Sequence, residues 1–359
     1  AKLLFAAQAA ERGWDVTVGA KKALDRRLAR LPRGVYVGKS VTARNIGLYG
    51  LLQRLGHTVT AWDEEGLVYA SPDVYHATKV GPGVLNLPER LFAWGDANAA
   101  AWRSYPDYSG TPIAVTGNPR ADLLRPELRG YFADEAALLR QRFGSFILIN
   151  TNFSRLNHFN PGESRQRHLI EDGGARIVSQ DDPRLGLARH KEALFNAFQD
   201  MAPALARRFP GHRLVLRPHP SESPEIWQRL LADCPNAVVV YEGNAAAWLL
   251  AAEAMVHNGC TTAVESFLLD RPAIAYRPVV SAAFDHPLPN GLSLEARDPE
   301  ALFAQVAGML QDGPERRAEA LAERASLAAS HVASVEGPPA CERLLEALEP
   351  MRMAQAATG

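Results

Sequence analysis

The chain has 359 residues, of which 47% are hydrophobic and 22% are charged, which is ordinary for a globular protein in water. Lysine and arginine number 39 against 40 aspartates and glutamates, so the formal net charge is -1 and the strongly basic surface of a bulk nucleic-acid binder is excluded. The length favours two domains, because single cores seldom grow past about 250–300 residues.

The cysteines and the apolar runs exclude further classes of protein. Three scattered cysteines, Cys234, Cys260 and Cys341, are too few for a disulfide framework or a zinc site. No secretory signal opens the chain, and no apolar run reaches the roughly 18–20 residues that span a bilayer. We expect a cytoplasmic protein that touches the inner membrane at most peripherally. The sequence gives no oligomeric state.

Short β-branched runs alternate with amphipathic segments, which is typical of parallel sheets with crossover helices. The chain opens with a predicted helix carrying Leu3, Leu4, Ala7 and Ala10. Since an α/β domain usually begins with a strand, we expect a first strand upstream of this sequence. In the first half, strands are predicted at DVTVG (15–19), GVYVG (34–38), TVTAW (58–62), LFAWG (91–95) and IAVTG (113–117).

The second half repeats this alternation. Its predicted strands are FILINTN (146–152), HRLVLRPHP (212–220), AVVVYEG (237–243), AMVHNG (254–259) and PAIAYRP (272–278). The polar stretch from Ser154 to Asp182 lacks periodicity and predicts a functional loop or a disordered segment. We expect two Rossmann-like α/β domains that face a cleft, 1–135 on the acceptor side and 136–335 on the nucleotide side. A helical tail, 336–359, would pack back on the first domain.

The segment HNGCTTAVES (257–266) follows an apolar strand and precedes a helical pattern. Asn258 and Gly259 permit the backbone angles of a tight turn, and Thr261 or Thr262 can cap the helix. The free N–H groups and the positive dipole at such a helix start bind phosphate. Glu265, one turn further on, would accept hydrogen bonds from ribose hydroxyls. The alternative is a turn and cap without a ligand.

The segment LVLRPHPSE (214–222) ends a strand with two prolines. Pro218 and Pro220 hold His219 in an extended, rigid position. Beside Arg217 it forms a clamp for a phosphate leaving group, and the imidazole is also a candidate proton donor to that group. The alternative is that Arg217 pairs with a surface carboxylate and His219 serves as a cap.

The segment WDEEGLVY (62–69) places Asp63, Glu64 and Glu65 directly after a strand. Like charges this close resist simultaneous ionisation, so we expect one raised pKa suited to acid–base or nucleophilic work. A solvated turn is the alternative.

Weaker candidates also follow predicted strands. Lys39 lies in GKS, one residue short of the P-loop spacing, which excludes an ATPase. Asn118, Arg120 and Asn152 follow strand ends and together crowd one edge, which makes them candidate substrate-binding residues, with a role in turns as the alternative. The histidines of the polar stretch, His158, His168 and His190, lack ligand spacing, and QDD (180–182) is not a convincing metal pair, so we expect no metal.

LRPHPSE and HNGCTTAVESFLLDRPAIAYRP resemble the bacterial surface-carbohydrate biosynthesis proteins, and through them the GT-B glycosyltransferases of the Kdo and CMP-sugar type in capsule and lipopolysaccharide assembly. VYVGKS, DEEGLVY, TGNPRADLLRPELR and FILINTNF extend the likeness over nearly the whole chain. The resemblance implies that His219, Pro220, Thr261 and Thr262 hold the nucleotide phosphate and that Glu265 holds its ribose. It also implies a catalytic carboxylate in the first domain.

We therefore expect a glycosyltransferase that moves Kdo or another nonulosonate from a CMP-linked donor to a glycan or lipid-linked acceptor, without a further cofactor. A UDP-sugar transferase or epimerase, a CDP-polyol phosphotransferase and a regulatory nucleotide-sugar binder remain alternatives. The expected catalytic residues are Asp63, Glu64, Glu65 and His219, with Asp96 as a further candidate carboxylate. The expected donor-binding residues are Arg217, Pro220, Asn258, Gly259, Cys260, Thr261, Thr262 and Glu265. The expected substrate-binding residues are Lys39, Asn118, Arg120 and Asn152.

Overall fold

The computed structural model describes residues 1–171, 182–311 and 314–358. The strands are β1 (Val35–Gly38), β2 (Thr58–Trp62), β3 (Arg90–Ala93), β4 (Ile113–Val115), β5 (Phe146–Asn150), β6 (Arg213–Arg217), β7 (Ala237–Val239), β8 (Ala254–His257), β9 (Ile274–Tyr276) and β10 (Leu294–Ala296). The helices are α1 (Lys2–Glu11), α2 (Lys21–Asp25), α3 (Ile46–Arg54), α4 (Pro72–Thr78), α5 (Asp96–Arg103), α6 (Pro119–Asp122), α7 (Ala133–Phe143), α8 (Arg165–Glu171), α9 (Pro183–Arg208), α10 (Glu225–Leu230), α11 (Ala245–Ala251), α12 (Thr261–Leu268), α13 (Pro287–Gly291), α14 (Pro299–Gln311), α15 (Pro314–Ala322), α16 (Ala325–His331) and α17 (Ala340–Thr358).

The chain divides into two compact units. Unit 1 comprises residues 1–128 and 325–359, and unit 2 comprises residues 129–324. The first boundary falls slightly before the expected one, because α7 and the turn before it pack against α11 of unit 2. The second falls earlier because α16 packs against α5 of unit 1.

Unit 1 is built on a four-stranded parallel sheet in the order β1-β2-β3-β4. Successive side chains of a strand point to opposite faces of the sheet. Val59 and Ala61 of β2 accordingly lie in one core cluster, whereas Trp62 packs with Phe92 of β3 and Leu344 of α17 in another. Both faces are therefore covered, as parallel sheets require.

The last helix belongs to unit 1 and is fastened there by a carboxylate. Asp122, which is fully buried, accepts hydrogen bonds from the backbone N–H groups of Ala340 (2.7 Å) and Cys341 (2.8 Å) at the start of α17. A carboxylate at a helix start satisfies donors that have no partner within the helix. The tail thus completes the side of the sheet formed by Trp62 and Phe92.

Unit 2 is built on a six-stranded parallel sheet in the order β10-β9-β8-β5-β6-β7. The chain runs outward from the central β5 through β6 to β7, then returns to the other side of β5 as β8, β9 and β10. This reversal is a topological switch point, and in open α/β sheets ligands bind at the carboxyl ends of the strands at that point. Both units have parallel sheets with crossover helices, which confirms the predicted α/β class.

The observed strands differ from the predicted ones in two places. DVTVG (15–19) forms no strand, because Val16 and Val18 lie exposed with no neighbouring strand to pair with; strand propensity is decided by such packing. β10 was not predicted, since its three residues include the exposed Glu295 and carry no periodic signal.

The polar stretch from 154 to 182 is more structured than predicted. It contains α8, and Asp182 caps α9 by accepting a hydrogen bond from the N–H of Arg184 at 2.8 Å. Gln180 and Asp181 of the QDD segment lie outside the described residues. Gly56 follows α3 with a φ of 84°, which is the left-handed conformation that favours glycine after a helix.

Candidate functional site

Three predicted site segments meet at the carboxyl edge of the unit 2 sheet. Asn150, the last residue of β5, is in register with Arg217 of β6 on one side and His257 of β8 on the other. The residues that follow these strands are TNF (151–153) after β5, PHP (218–220) after β6 and NGC (258–260) after β8. All three segments therefore lie at the switch point of the sheet.

Two asparagine side chains at this edge have no hydrogen-bond partner among the described residues. Asn150 is 4% exposed and Asn258 is 6% exposed, and in both residues neither the Oδ1 nor the Nδ2 atom is satisfied. Native proteins rarely bury polar groups without a partner. The two amides together offer hydrogen-bond donors and acceptors to a ligand at the topological switch point, where ligands bind in open α/β sheets.

Arg217 is held by backbone groups of the neighbouring loop. Its Nη2 donates to the carbonyl oxygens of Glu242 (3.1 Å) and Gly243 (3.0 Å), and its guanidinium lies 5.6 Å from the ring centroid of Trp248. Burial lowers the pKa of Arg217, against the raising effect of Glu135 and Glu265. Its buried Nε has no hydrogen-bond partner. The arginine therefore has at least its Nε–H left to donate to a ligand.

The loop after β6 fixes the tautomer of His219. The backbone N–H of Ser221 donates to Nδ1 of His219 at 3.1 Å, so the neutral ring carries its proton on Nε2. The hydroxyl of Tyr241 donates to the carbonyl oxygen of Pro220 and holds the loop against the end of β7. A half-buried imidazole with an Nε2–H is suited to donate a hydrogen bond to a phosphate oxygen.

Glu222 joins the loops after β5 and β6, and its role was not predicted from the sequence. The side chain is 1% exposed and accepts hydrogen bonds from the Thr151 hydroxyl (2.9 Å), the Phe153 N–H (2.9 Å) and Trp227 Nε1 (2.8 Å). Burial raises its pKa to about 7, although these hydrogen bonds act in the opposite direction. Its hydrogen-bond partners lie up to 71 positions away in the sequence. No local sequence pattern therefore marks Glu222 as a residue of the site.

The turn before α12 differs from the prediction in its cap. The N-cap residue is Cys260, which makes no side-chain cap hydrogen bond; its Sγ lies 2.7 Å from the Thr262 hydroxyl. Neither Thr261 nor Thr262 caps the helix, so that prediction is wrong, because the helix begins one residue earlier than a threonine cap requires. The first N–H groups of α12 are left without a side-chain cap. Glu265 is buried within the same helix.

His257 is a structural residue of this turn. It is fully buried, its Nδ1 accepts the Gly259 N–H at 2.9 Å, and its Nε2 therefore donates to the Ser293 hydroxyl at 2.8 Å. Burial lowers its pKa to about 3, so the ring is neutral at pH 7. Gly259, with a φ of 82°, makes the turn that this histidine closes.

A second histidine braces the same turn and was missed from the sequence. His286 donates from Nδ1 to the Gly259 carbonyl oxygen at 2.6 Å, and burial lowers its pKa to about 4. The neighbouring Asp285 accepts from Arg277 (2.6 Å) and lies 3.0 Å from His190 Nε2. His190 thus lies in α9, beside the residues that brace the turn between β8 and α12, and not in a loop.

The three adjacent carboxylates of unit 1 have three different environments. Asp63 is 1% exposed and accepts from the Tyr75 hydroxyl at 2.8 Å, which in turn accepts from Trp102 Nε1 at 2.9 Å. Burial, and not mainly the neighbouring charges, raises the pKa of Asp63, which corrects the expected cause. Glu64 pairs with Lys2 at 2.9 Å. Glu65 is exposed.

Glu64 and Glu65 line a polar pocket of about 650 Å³, here called the unit 1 pocket. Its walls come from residues 39–40 and 42–44 after β1, residues 64–65 after β2 and residues 77–82 at the end of α4. Lys39 is one of its lining residues. A volume of this size is typical of sites for small molecules.

The remaining predicted residues do not join the unit 1 pocket. Asn118 caps α6 through a hydrogen bond from the Arg120 N–H to its Oδ1 at 3.0 Å, which is the turn role, although its buried Nδ2 is unsatisfied. Asp96 is exposed as the first residue of α5. Asn152 is exposed after β5 in unit 2.

The described residues contain neither a metal-ligand cluster nor a membrane-spanning helix. In the described ranges, no three His, Cys, Asp or Glu side chains lie together as a metal site would need. Nor does any helix within residues 1–171, 182–311 and 314–358 have the length and apolar character to cross a membrane.

Comparison with known proteins yields relatives in structure only. No protein-family model and no curated protein matches the chain. A variant of the wall teichoic acid polymerase TagF, soaked with CDPG, is similar with a TM-score of 0.54 at 12% identity, over 90% of this chain and 73% of that one. S. aureus MnaA in a co-structure with UDP is similar with a TM-score of 0.51 at 15% identity, over 93% of this chain and 80% of that one.

The fold is GT-B-like. It consists of two Rossmann-like units, and the similarity to both solved structures extends over at least nine-tenths of the chain. This agrees with the predicted fold class. At such low identity the similarity concerns the fold and not the reaction.

Proposed function

We propose that this protein is a nucleotide-sugar-dependent glycosyltransferase whose unit 2 holds the donor nucleotide at the carboxyl ends of β5, β6 and β8. The observation that carries the proposal is the pair of buried, unsatisfied amides of Asn150 and Asn258 at the switch point. Each such buried group costs about 1–3 kcal/mol, and a nucleotide, which both donates and accepts hydrogen bonds, relieves that cost when it binds.

The phosphate of the donor is assigned to the two loops beside these amides. The neutral His219 ring carries its proton on Nε2, Arg217 has an unused Nε–H, and the start of α12 has N–H groups without a side-chain cap. Donors of this kind stabilise the negative charge that develops on a departing phosphate. Thr261, Thr262 and Glu265 complete the donor site, with Glu265 toward the ribose.

For the acceptor, Glu65 is the best candidate base among the three carboxylates. Asp63 is inside the unit and bonded to Tyr75, and Glu64 is paired with Lys2, whereas Glu65 is exposed at the unit 1 pocket. Glu65 would take the proton of an acceptor hydroxyl, whose oxygen bonds to the anomeric carbon. The bond from that carbon to the phosphate oxygen breaks, its electron pair stays on the phosphate, and His219 donates to that oxygen.

At finer detail, we propose a CMP-linked acidic sugar such as Kdo or another nonulosonate as the donor and a surface glycan as the acceptor. The support for this is the resemblance carried by LRPHPSE and HNGCTTAVES. A CDP-polyol phosphotransferase is the second candidate, because the TagF structure that shares the fold was soaked with CDPG. UDP-linked donors are a further candidate, because the MnaA structure that shares the fold contains UDP.

Turnover with a panel of donors tests the proposal. The purified chain is mixed with CMP-linked nonulosonates, CDP-linked polyols and UDP-sugars, and the released nucleotide is followed with and without glycan acceptors. Release of CMP that depends on an acceptor is the expected result. Release of CMP from the CDP-polyol, with transfer of its phosphate, would move the assignment to phosphotransfer. An absence of release and of binding for every donor would contradict the proposal.

A further inference from the structure

We propose that the unit 1 pocket binds a phosphate ester on the acceptor through Lys39, Arg44 and Lys79. The proposal rests on the proposed function and names the chemical class of its acceptor. Lys39 follows β1, Arg44 lies in the 3-10 turn before α3, and Lys79 ends α4, so three separate segments bring a cation to one cavity.

The three cations are available to a ligand. Neither ammonium group nor the guanidinium makes a hydrogen bond or an ion pair within the part of the chain that the structure describes. Arginine and lysine groups gathered from several segments are the usual protein donors to phosphate oxygens. Of the two carboxylates in the lining, Glu64 is neutralised by Lys2, which lies outside the lining.

The charge of the pocket favours a doubly charged anion. Among the lining residues, three cations are opposed by one unpaired carboxylate, Glu65, so a positive excess remains, although the charge of Lys79 also acts on the buried Asp63 behind the lining. A phosphate monoester carries about -1.5 to -2 charges at pH 7, whereas a sugar carboxylate carries one. The phosphate ester is therefore the better match, and the cavity of about 650 Å³ has room for a sugar attached to it.

The wall of the pocket is rigid. The carbonyl oxygen of Ser40 accepts from the Tyr49 hydroxyl at 2.6 Å and from Asn45 Nδ2 at 2.8 Å. The Gly81 N–H donates to the Val41 carbonyl oxygen at 3.0 Å, and a Cβ at Gly81 would lie 2.4 Å from the backbone nitrogen of Ala43. The two loops that carry Lys39, Arg44 and Lys79 are thus locked together, which lowers the ordering cost of binding.

The position of Glu65 connects the anion to the reaction. Glu65 lines the same pocket as the three cations, so an acceptor anchored by its phosphate presents a nearby hydroxyl to that carboxylate. Anchoring a non-reacting group in this way orients the reacting one. The preferred acceptors are therefore sugars whose reacting hydroxyl lies on the residue that carries the phosphate, or on the next one.

The test is calorimetric titration of the full chain with glucose 6-phosphate, with glucuronate as the carboxylate probe. Both are titrated in the presence of a saturating nucleotide, which fills the unit 2 site. We expect binding of the phosphate ester, weakened about tenfold or more in Lys39→Ala and Lys79→Ala, since each variant removes a charge-assisted hydrogen-bond donor to the phosphate. Lys22→Ala, an exposed lysine of α2 in the same unit, is the matched control and should bind as the wild type does.

Two outcomes would overturn the inference: phosphate binding that Lys39→Ala and Lys79→Ala leave unchanged, or glucuronate binding as tight as that of the phosphate ester. Nucleotide affinity of the same variants is measured in parallel and should not change. Failure of the phosphate test with intact nucleotide binding removes the acceptor assignment alone. If no nucleotide binds, the titration is made without one, and the proposed function fails separately.

Discussion

At the scale of single residues, the chain keeps polar groups where packing alone would favour apolar ones. Asn150 and Asn258 occupy buried positions without forming any protein hydrogen bond. By contrast, Asn236 donates from Nδ2 to the carbonyl oxygens of Ala206, Phe209 and His212, and its role is structural. Buried polar residues that lower the stability of the fold without making a protein hydrogen bond are expected at functional sites.

Replacing either unsatisfied amide should separate binding from stability. We expect Asn150→Ala and Asn258→Ala to weaken nucleotide binding about tenfold while the free energy of unfolding is unchanged or rises, because the unsatisfied amide is removed. The control Asn236→Ala should lower the free energy of unfolding by about 1–3 kcal/mol and leave nucleotide affinity intact. Calorimetry and denaturant unfolding measure both quantities. A large loss of stability in Asn150→Ala would contradict the reading of this amide as a ligand group.

The adjacent glutamates of unit 1 should also separate. Glu65→Gln removes the proposed base without removing a protein contact, so we expect turnover to fall about 10²–10⁴-fold while nucleotide affinity stays constant. Glu64→Gln is the matched control and should cost little, since an exposed ion pair such as that with Lys2 contributes about 0–1 kcal/mol. If Glu65→Gln retained full turnover while Glu64→Gln lost it, the assignment of the base would be reversed.

At the scale of elements, the site depends on loops that are fastened by buried titratable groups. Glu222 joins the loops after β5 and β6, and His257 closes the turn between β8 and α12. Burial shifts their pKa values in opposite directions from the ordinary values: the pKa of Glu222 is raised to about 7, and the pKa of His257 is lowered to about 3. The neutral forms of both side chains are thus favoured by the fold.

The pH dependence of the free energy of unfolding should show the titration of Glu222. Because its pKa is higher in the folded chain than in the unfolded one, its contribution is complete below the unfolded value of about 4.5 and is lost as the pH rises through about 7. From pH 5 to 8 this group alone should lower the free energy of unfolding of the wild type by up to roughly 3 kcal/mol. His257 acts oppositely, losing its contribution as the pH falls below about 6.5.

Comparison with Glu222→Gln isolates the carboxylate from the histidines. The variant is expected to be less stable overall, because one glutamine oxygen cannot serve the Thr151, Phe153 and Trp227 donors together, but its stability should fall less steeply between pH 5 and 8. Glu225→Gln, an exposed neighbour, should keep the wild-type slope. Equal slopes for wild type and Glu222→Gln would show that Glu222 does not titrate in this range.

At the scale of the whole molecule, the sequence predicted what local pattern determines. Runs such as TVTAW and FILIN became central strands, and because parallel strands end at a common edge, the motifs that follow β5, β6 and β8 came together there. Side chains with remote partners were not predictable. Glu222 is 71 positions from Thr151, and His286 is 27 positions from Gly259. The failed strand at DVTVG shows the same limit, since a strand needs a neighbour that its own residues do not specify.

The proposed nucleotide site lies in unit 2 and the proposed acceptor pocket lies in unit 1, and each is supported by its own residues. The unit 2 site rests on Asn150, Asn258, Arg217 and His219. The unit 1 pocket rests on the cations and on Glu65. The nucleotide site is the central claim, because every assigned role of the donor depends on it.

The most direct test is calorimetric titration of the chain with CMP, CDP, UDP and GDP, repeated with His219→Ala and with His212→Ala. His212 precedes the amino end of β6, opposite to His219, and serves as the control. We predict that one nucleotide binds preferentially, CMP by the finer proposal, and that His219→Ala weakens its binding about tenfold or more while His212→Ala does not. Binding of no nucleotide, or binding that His219→Ala leaves unchanged, would contradict it.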